Sequence, residues 1–537
     1  MKLKGPGNRA YNIFFHTHTV SGIVISVALY IIFFAGAFTL FKSEFYTWEN
    51  PSFRNHIPSG EIRTSEVFKA LYKEKPTLDI NEDIYITLPS EHSPLINIYG
   101  HLTPGKDGKE IHFTTKMHPE TYAIHEAGSS TIGETLYRLH FLDQIPYLGR
   151  WLAGFVALFF VFATITGLLI HWKNMLTKFW SSSFRGSWKQ IWTNSHTVFG
   201  LLGLPYQLMY AITGAFYLLL LLVLLPAVMV FYKGNPEKVY AMAYPNMAVT
   251  YDKNAKTADN SEKVEEIYKK VETDFKGKFE IISVNTRNIM KEDGAINFRL
   301  RSLDKKTFSS YGYLGYRLNN GSEVYSSIPG VNKTYTHSVV EAIGHLHFAT
   351  FGGILVKTLY FLMALFTCFV IVSGILIWKE ARKNKNYTDQ QKRFHHRITV
   401  VFLAICFGLF PAAAIIFHAE LWLKGGEQHK LWVDAAFFLS WLALTITGIV
   451  LYDEKKLTRF YLFAGGLFSV LVPVTNGLTT GDWLWKSLSN GQDYIAGTDL
   501  FWLVTGITCL VLTRVIATAK VLRQQQKEKE EVILSKA

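Results

Sequence analysis

Residues 18–38 read HTVSGIVISVALYIIFFAGAF, and residues 196–216 read HTVFGLLGLPYQLMYAITGAF. Both stretches open on a His-Thr-Val triplet at His18 and His196, carry Gly22 and Gly200 at the same interval, and close as Gly36-Ala37-Phe38 and Gly214-Ala215-Phe216. The repeat extends beyond these helices. Leu139-His140-Phe141 precedes Thr166-Gly167-Leu168-Leu169 at the interval that separates Leu346-His347-Phe348 from Ser373-Gly374-Ile375-Leu376. Self-similarity in register marks a duplicated structural unit, here an apolar segment, a long polar stretch and a second apolar segment.

A bilayer core of about 30 Å takes roughly 20 apolar residues as a helix. Eight segments approach that length: 20–41, 151–170, 201–231, 354–378, 398–423, 435–452, 460–474 and 500–519. The seventh is short, and the first runs into Phe41-Lys42-Ser43-Glu44 without a small-residue cleavage site, so it reads as an uncleaved span. The expected fold class is an α-helical polytopic membrane protein of about eight transmembrane helices, with two small α+β extracytoplasmic domains. The first four spans form the internal duplication.

Composition fits this reading. The chain has 537 residues, 49% hydrophobic and 18% charged, with a formal charge of +13. Its basic residues are spread over short loops instead of forming the stripe that nucleic acid would require, so no nucleic-acid partner is expected and membrane lipid is. Lys2, Lys4 and Arg9, then Lys173, Lys178, Arg185 and Lys189, then Lys379 to Arg397, Lys455 to Arg459 and the tail from Lys520 all fall at one set of span ends. By the positive-inside rule these ends are cytoplasmic, both termini included. Cys368, Cys406 and Cys509 lie in apolar runs and offer neither a disulfide framework nor a thiolate metal site.

The expected organisation is an N-terminal segment and first span at 1–43, an outer domain at 44–138, spans two and three at 139–234, a second outer domain at 235–340, the fourth span at 341–380 and four further spans with a basic tail at 381–537. In the outer stretches, Ser65–Tyr72 and Glu262–Phe275 have helical spacing. Ile84–Leu88, Leu95–Tyr99, Glu110–Thr114, Phe279–Val284, Ala295–Leu300 and Tyr311–Tyr316 have strand character.

The duplication singles out four histidines. His18 and His196 fall at the inner ends of the first and third spans, His140 and His347 at the outer ends of the second and fourth. Ionisable residues near lipid are costly and mark function by default, and two neutral imidazoles facing each other across a helix bundle can supply both axial ligands of a haem. Gly22, Gly36, Gly200, Gly214, Gly167 and Gly374 remove bulk where a macrocycle or a close helix needs room. Histidine is also an ordinary interfacial residue, and His16, His171, His345, His395 and His396 are alternative ligands beside the four. His56, His92, His101, His112, His118 and His125 read as surface residues of the first outer domain.

With Phe14-Phe15-His16-Thr17-His18, Leu136-Tyr137-Arg138-Leu139-His140, Asn194-Ser195-His196 and Gly344-His345-Leu346-His347 in place, the sequence resembles the PepSY-associated transmembrane family. Its members are often described as iron-regulated membrane proteins, and the best understood are ferric-siderophore reductases of the bacterial inner membrane. The resemblance covers about residues 10–380. It implies PepSY-like outer domains, two b-type haems held by His18, His196, His140 and His347, and electron flow to a ferric siderophore or other ferric chelate on the periplasmic side. Such an oxidoreductase has no catalytic acid, base or nucleophile.

No G-x-G-x-x-G follows a strand, and no inner segment is large enough to bind flavin or nicotinamide. Electrons would therefore come from a cytoplasmic reductase or a membrane quinol. Residues 398–519 exceed a four-span core and read as packing helices or as a docking surface for the donor, with His395, His396 and segment 379–397 at the inner face. The alternative is a non-catalytic membrane-anchored protein that regulates periplasmic peptidases through its outer domains. Twenty-seven helical residues separate His140 from Gly167, roughly 40 Å at 1.5 Å each, so the segments bearing His140 and His347 are expected to bend inward at Pro146 and Gly352-Gly353.

Overall fold

A computed structural model describes residues 6–536 except 52–53, 55–61, 91–94, 105–110, 126–130, 181–185, 245, 247–248, 253, 305–307 and 424–425. Lys2, Lys4, His56, His92, Glu110 and Arg185 of the sequence reading lie outside the described residues. The chain divides into two compact units, one of Met1–Pro51, Ser130–Leu219 and Lys357–Ala537, the other of Ser52–Ser129 and Leu220–Val356.

In chain order the elements are α1 (Asn8–Thr39), α2 (Lys42–Glu49), α3 (Thr64–Glu74), β1 (Ile84–Thr87), β2 (Ile96–Leu102), β3 (Ile111–Met117), β4 (Ile124–His125), α4 (Ile132–His140) and α5 (Gly149–His171). There follow α6 (Met175–Trp180), α7 (Trp188–Leu202), α8 (Leu204–Phe231), α9 (Pro236–Ala243), α10 (Ser261–Phe275), β5 (Phe279–Arg287), β6 (Ala295–Ser302), β7 (Tyr311–Arg317), β8 (Glu323–Ser327) and α11 (Tyr335–Phe348). The last are α12 (Gly353–Ala381), α13 (Asp389–Trp422), α14 (His429–Leu451), α15 (Glu454–Thr480), α16 (Leu484–Ser489) and α17 (Asp493–Lys536).

Among the described residues, seven helices are long and apolar enough to cross a membrane, or eight if the bent pair α7 and α8 counts as one span, which is consistent with a multi-pass membrane protein. The third expected span, 201–231, is not one continuous helix with the segment carrying His196. The two pieces meet at 68°. Pro205 has no N–H to donate, and its ring collides with the carbonyl four residues back, so the helix stops at Gly203 and restarts. The seventh expected span is longer than its apolar run. Asp453 caps its N-terminus by accepting from Lys456 N, and Gly481 ends it at φ 79°, so the helix extends past 460–474 at both ends.

In the second unit the strands of the two expected outer stretches join. Among the described residues, eight strands form one antiparallel sheet in the order β4-β3-β2-β1-β5-β6-β7-β8. The join is β1 against β5, with Ile84 opposite Thr286 and Ile86 opposite Val284. Two smaller sheets would each leave an open edge of unpaired N–H and C=O groups, and this pairing removes one edge from each. Ile84, Ile86, Ile96, Ile98, Val284, Ile296 and Phe298 pack with Val67 and Leu71 of α3 and Val264, Ile267 and Val271 of α10 in a continuous core. Glu265 ties the two helices, accepting from Thr64 Oγ1 at 2.5 Å and Ser65 N at 2.9 Å.

In the first unit an aromatic core joins α1 and α2 to α13 and α17. Phe38 stacks on Trp502 (5.8 Å between ring centres), and Phe417 meets Trp48 and Trp502 edge to face, each at 5.0 Å. Through these rings α13 and α17 pack against the first two helices of the chain. Gly466 and Gly506 let α15 and α17 approach at backbone distance, since a Cβ on Gly466 would stand 3.0 Å from the Gly506 carbonyl oxygen.

Candidate functional site

Three of the four singled-out histidines share one local device. His18 Nδ1 bonds the carbonyl of Ala163 at 2.8 Å, His196 Nδ1 that of Val370 at 2.9 Å, and His140 Nδ1 that of Ile32 at 2.8 Å. In each case the residue one helical turn further on is a glycine: Gly167, Gly374 and Gly36. A helical carbonyl is screened by the side chain one turn ahead, and the missing Cβ opens it to a second donor. The fit is close. A Cβ would stand 3.0 Å from His18 Cε1 at Gly167, 3.3 Å from His196 Cε1 at Gly374 and 2.6 Å from His140 Nδ1 at Gly36. The fourth glycine, Gly214, abuts Ala157 Cβ at 3.4 Å.

An imidazole whose Nδ1–H is donated to a carbonyl carries its lone pair on Nε2, the arrangement of a histidine that binds metal. His196 is further held by Ser373 Oγ, 3.1 Å from Nδ1. The rings of His18 and His196 face each other with centres 6.1 Å apart and planes at 74°. Two nitrogens on one metal at ~2 Å each would put the ring centres about that far apart, so the donor set suits one metal between two imidazoles. The cradles at Gly167 and Gly374 flank it from α5 and α12. Among the described residues no group of three or more His, Cys, Asp or Glu could hold a bare metal ion.

His140 ends its own short helix, α4, and reaches back to α1. The chain then turns through Leu142 (φ 57°) and Tyr147 (φ 61°) into α5. At ~1.5 Å per residue, Ile32 lies ~21 Å along α1 from His18, about half the separation that the sequence alone implies. Phe33, the residue after Ile32, forms a ring cluster with Tyr206, Tyr210 and Tyr360, with centres 4.5 to 6.5 Å apart.

The other histidines divide by environment. His347 lies in α11 of the second unit, its ring 5.1 Å from that of Phe348. His345 is committed through both nitrogens: Nε2 is 3.0 Å from Glu341 Oε1, Nδ1 meets Thr350 Oγ1, and the ring stacks on Tyr311. His16 is exposed beside Phe15, and His171 ends α5 half-buried. His395 packs edge to face against Trp378 and Tyr387, while His396 faces Glu454 at 3.2 Å and the Tyr452 carbonyl at 3.0 Å. His101 sits opposite His112 on β2 and β3.

Buried carboxylates are the part of this architecture that residue spacing did not reveal. Glu49, at the end of α2, accepts from Ile132 N at 2.9 Å and Thr131 N at 3.2 Å, so it caps the helix that carries His140. Glu44 pairs with Lys357 at 2.6 Å. Asp499 is fully buried between Trp48 Nε1 at 2.8 Å and Asn476 Nδ2 at 2.9 Å. Each couples segments far apart in the chain and leaves no local pattern.

No curated protein matches the sequence. The model of one family, described as a PepSY-associated TM region, matches residues 15–381, the stretch that contains all four repeat histidines, and the chain belongs to that family.

Proposed function

We propose that this protein is a transmembrane electron carrier that holds haem b through His18 and His196 and delivers single electrons to a ferric chelate such as a ferric siderophore. His140 and His347 are each candidate ligands of a second haem. The observation that carries the reading is the His18–His196 pair: two imidazoles with ring centres 6.1 Å apart, each fixed through Nδ1 to a helix carbonyl, beside helices stripped of side chain at Gly167 and Gly374.

Haem bound there would supply reversible one-electron chemistry at iron. The chain's own part is to hold and to exclude. The carbonyls of Ala163 and Val370 orient the ligating rings, Ser373 adds a second restraint on His196, and apolar helices keep water away. A ferric chelate is the substrate and needs only reduction, because hard oxygen donors hold iron(II) less strongly than iron(III). No proton-abstracting pair or nucleophile is required. The basic span ends fit a bacterial inner membrane with both termini in the cytoplasm, and the donor is a cytoplasmic reductase or a membrane quinol.

Visible absorption of the purified full-length protein tests the reading. The expected result is a Soret band and a dithionite-sharpened b-type α band, reoxidised on adding a ferric siderophore. Absence of a Soret band after haem-replete expression would overturn it.

A further inference from the structure

The basic ends of α12 and α13 enclose a second site, where the fourth span meets the further ones. A cavity of 190 Å³ is lined by Lys379, Arg382, Lys383, Lys392, His395 and His396. No carboxylate is among these lining residues. The nearby acids approach from outside and each takes one lysine: Glu454 pairs with Lys379, Glu380 with Lys383 at 2.5 Å and Asp389 with Lys392 at 3.4 Å. Glu454 also faces His396 Nδ1, whose other nitrogen faces the Tyr452 carbonyl.

Two features point to a ligand. Arg382 has no carboxylate within ion-pair distance among the described residues. Its Nη1 donates to the Trp378 carbonyl at 3.0 Å, and its guanidinium lies 4.5 Å over the Trp378 ring. One edge of the fork is thereby fixed while the remaining N–H groups stay available. His395 Nδ1 is enclosed and has no hydrogen-bond partner. A buried polar atom in a cavity wall is costly unless something in the cavity satisfies it.

We propose that this cavity binds a phosphate group, carried by an anionic lipid headgroup or by a soluble phosphate compound. An oriented guanidinium with several ammonium groups around it matches the charge and the multiple acceptor oxygens of phosphate better than those of a single carboxylate. Trp378 and the apolar run before it place the site where a span ends, the depth at which tryptophan and lipid phosphates meet. The proposal does not rest on haem binding.

The test uses the full-length, delipidated protein with two probes at constant ionic strength. Inorganic phosphate and pyrophosphate are titrated by calorimetry, and nanodiscs of phosphatidylcholine with or without phosphatidylglycerol are analysed for retained lipid by native mass spectrometry. We expect one saturable phosphate-bearing ligand per chain, weakened at least tenfold by Arg382→Gln. Binding of the lipid alone assigns the site to a headgroup, of the soluble probes alone to a soluble phosphate, and of both to the shared chemistry. The proposal fails if neither probe saturates, if chloride at matched ionic strength competes equally well, or if Arg382→Gln binds as the wild type does. Should Arg382→Gln not fold, the pair Lys383→Gln and Lys392→Gln replaces it, and unchanged binding there is equally fatal.

Discussion

Gly167 lies against the imidazole of His18, so that a Cβ at this glycine would stand 3.0 Å from His18 Cε1. The same relationship recurs between Gly374 and His196 at 3.3 Å and between Gly36 and His140 at 2.6 Å. The three glycines thus serve as seats for histidine.

Alanine at these seats should destabilise in the order of their clearances. Gly→Ala inside a helix gains about 1 kcal/mol of propensity, while overpacking costs about 1–3 kcal/mol. Gly374→Ala should therefore be close to neutral, Gly167→Ala intermediate, and Gly36→Ala clearly destabilising, as read from thermal unfolding in detergent. An order with Gly374→Ala as the worst would contradict the seating argument.

Removing the rings themselves tests the cofactor. His18→Ala or His196→Ala should each lose one low-spin haem from the absorption spectrum while the fold survives in a melting curve. Two six-coordinate haems retained in both variants would move the assignment to His16 or His171.

Glu49→Ala should cost about 2–4 kcal/mol, because the N–H groups of Thr131 and Ile132 would stay buried without an acceptor. The loss falls at the N-terminus of α4. Hydrogen exchange should accordingly speed up through residues 132–140 more than in α5, and uniform protection across both helices would exclude the capping role.

Acid sensitivity should centre on Glu341. Burial opposes its ionisation, yet bonds from His345, Lys333 and Tyr311 N hold its pKa down at about 2. An unfolded glutamate titrates near ~4.3. A folded pKa below the unfolded one gives stability that is full above that value and is lost as pH falls towards about 2. The melting temperature of Glu341→Gln should lie below wild type at neutral pH, and the gap should close between about pH 4.5 and 2. A gap that stays constant over this range would rule out the linkage.

Asp499→Ala should remove the hydrogen bonds from the Trp48 indole N–H and from the Asn476 amide, which keeps its bond to the Asp482 carbonyl, at about 1–3 kcal/mol for each bond lost. Asp499→Asn, which keeps one acceptor oxygen, should lose less. Equal melting points for the two variants would show that the carboxylate's hydrogen bonds contribute nothing.

Much of this protein is legible along the chain. The apolar runs place the spans, because a membrane helix satisfies its own backbone and needs only length and hydropathy. Pro205 marks the break after Gly203 in the same local way. The register of the sequence repeat singles out His18, His196, His140 and His347 before any contact is known. What the tertiary structure decided is which groups meet. Nothing in the polar stretches announces that β1 pairs with β5, since either outer stretch reads as a domain by itself and the choice depends on which sheet edges can be covered. Nor does the repeat reveal that Gly167 seats His18 while Gly36 seats His140: each contact crosses helices more than a hundred residues apart, and only their packing brings a bared carbonyl to an imidazole. The buried acids Glu49 and Asp499 lie furthest from sequence reading, because a lone carboxylate acquires its role from donors that the fold delivers.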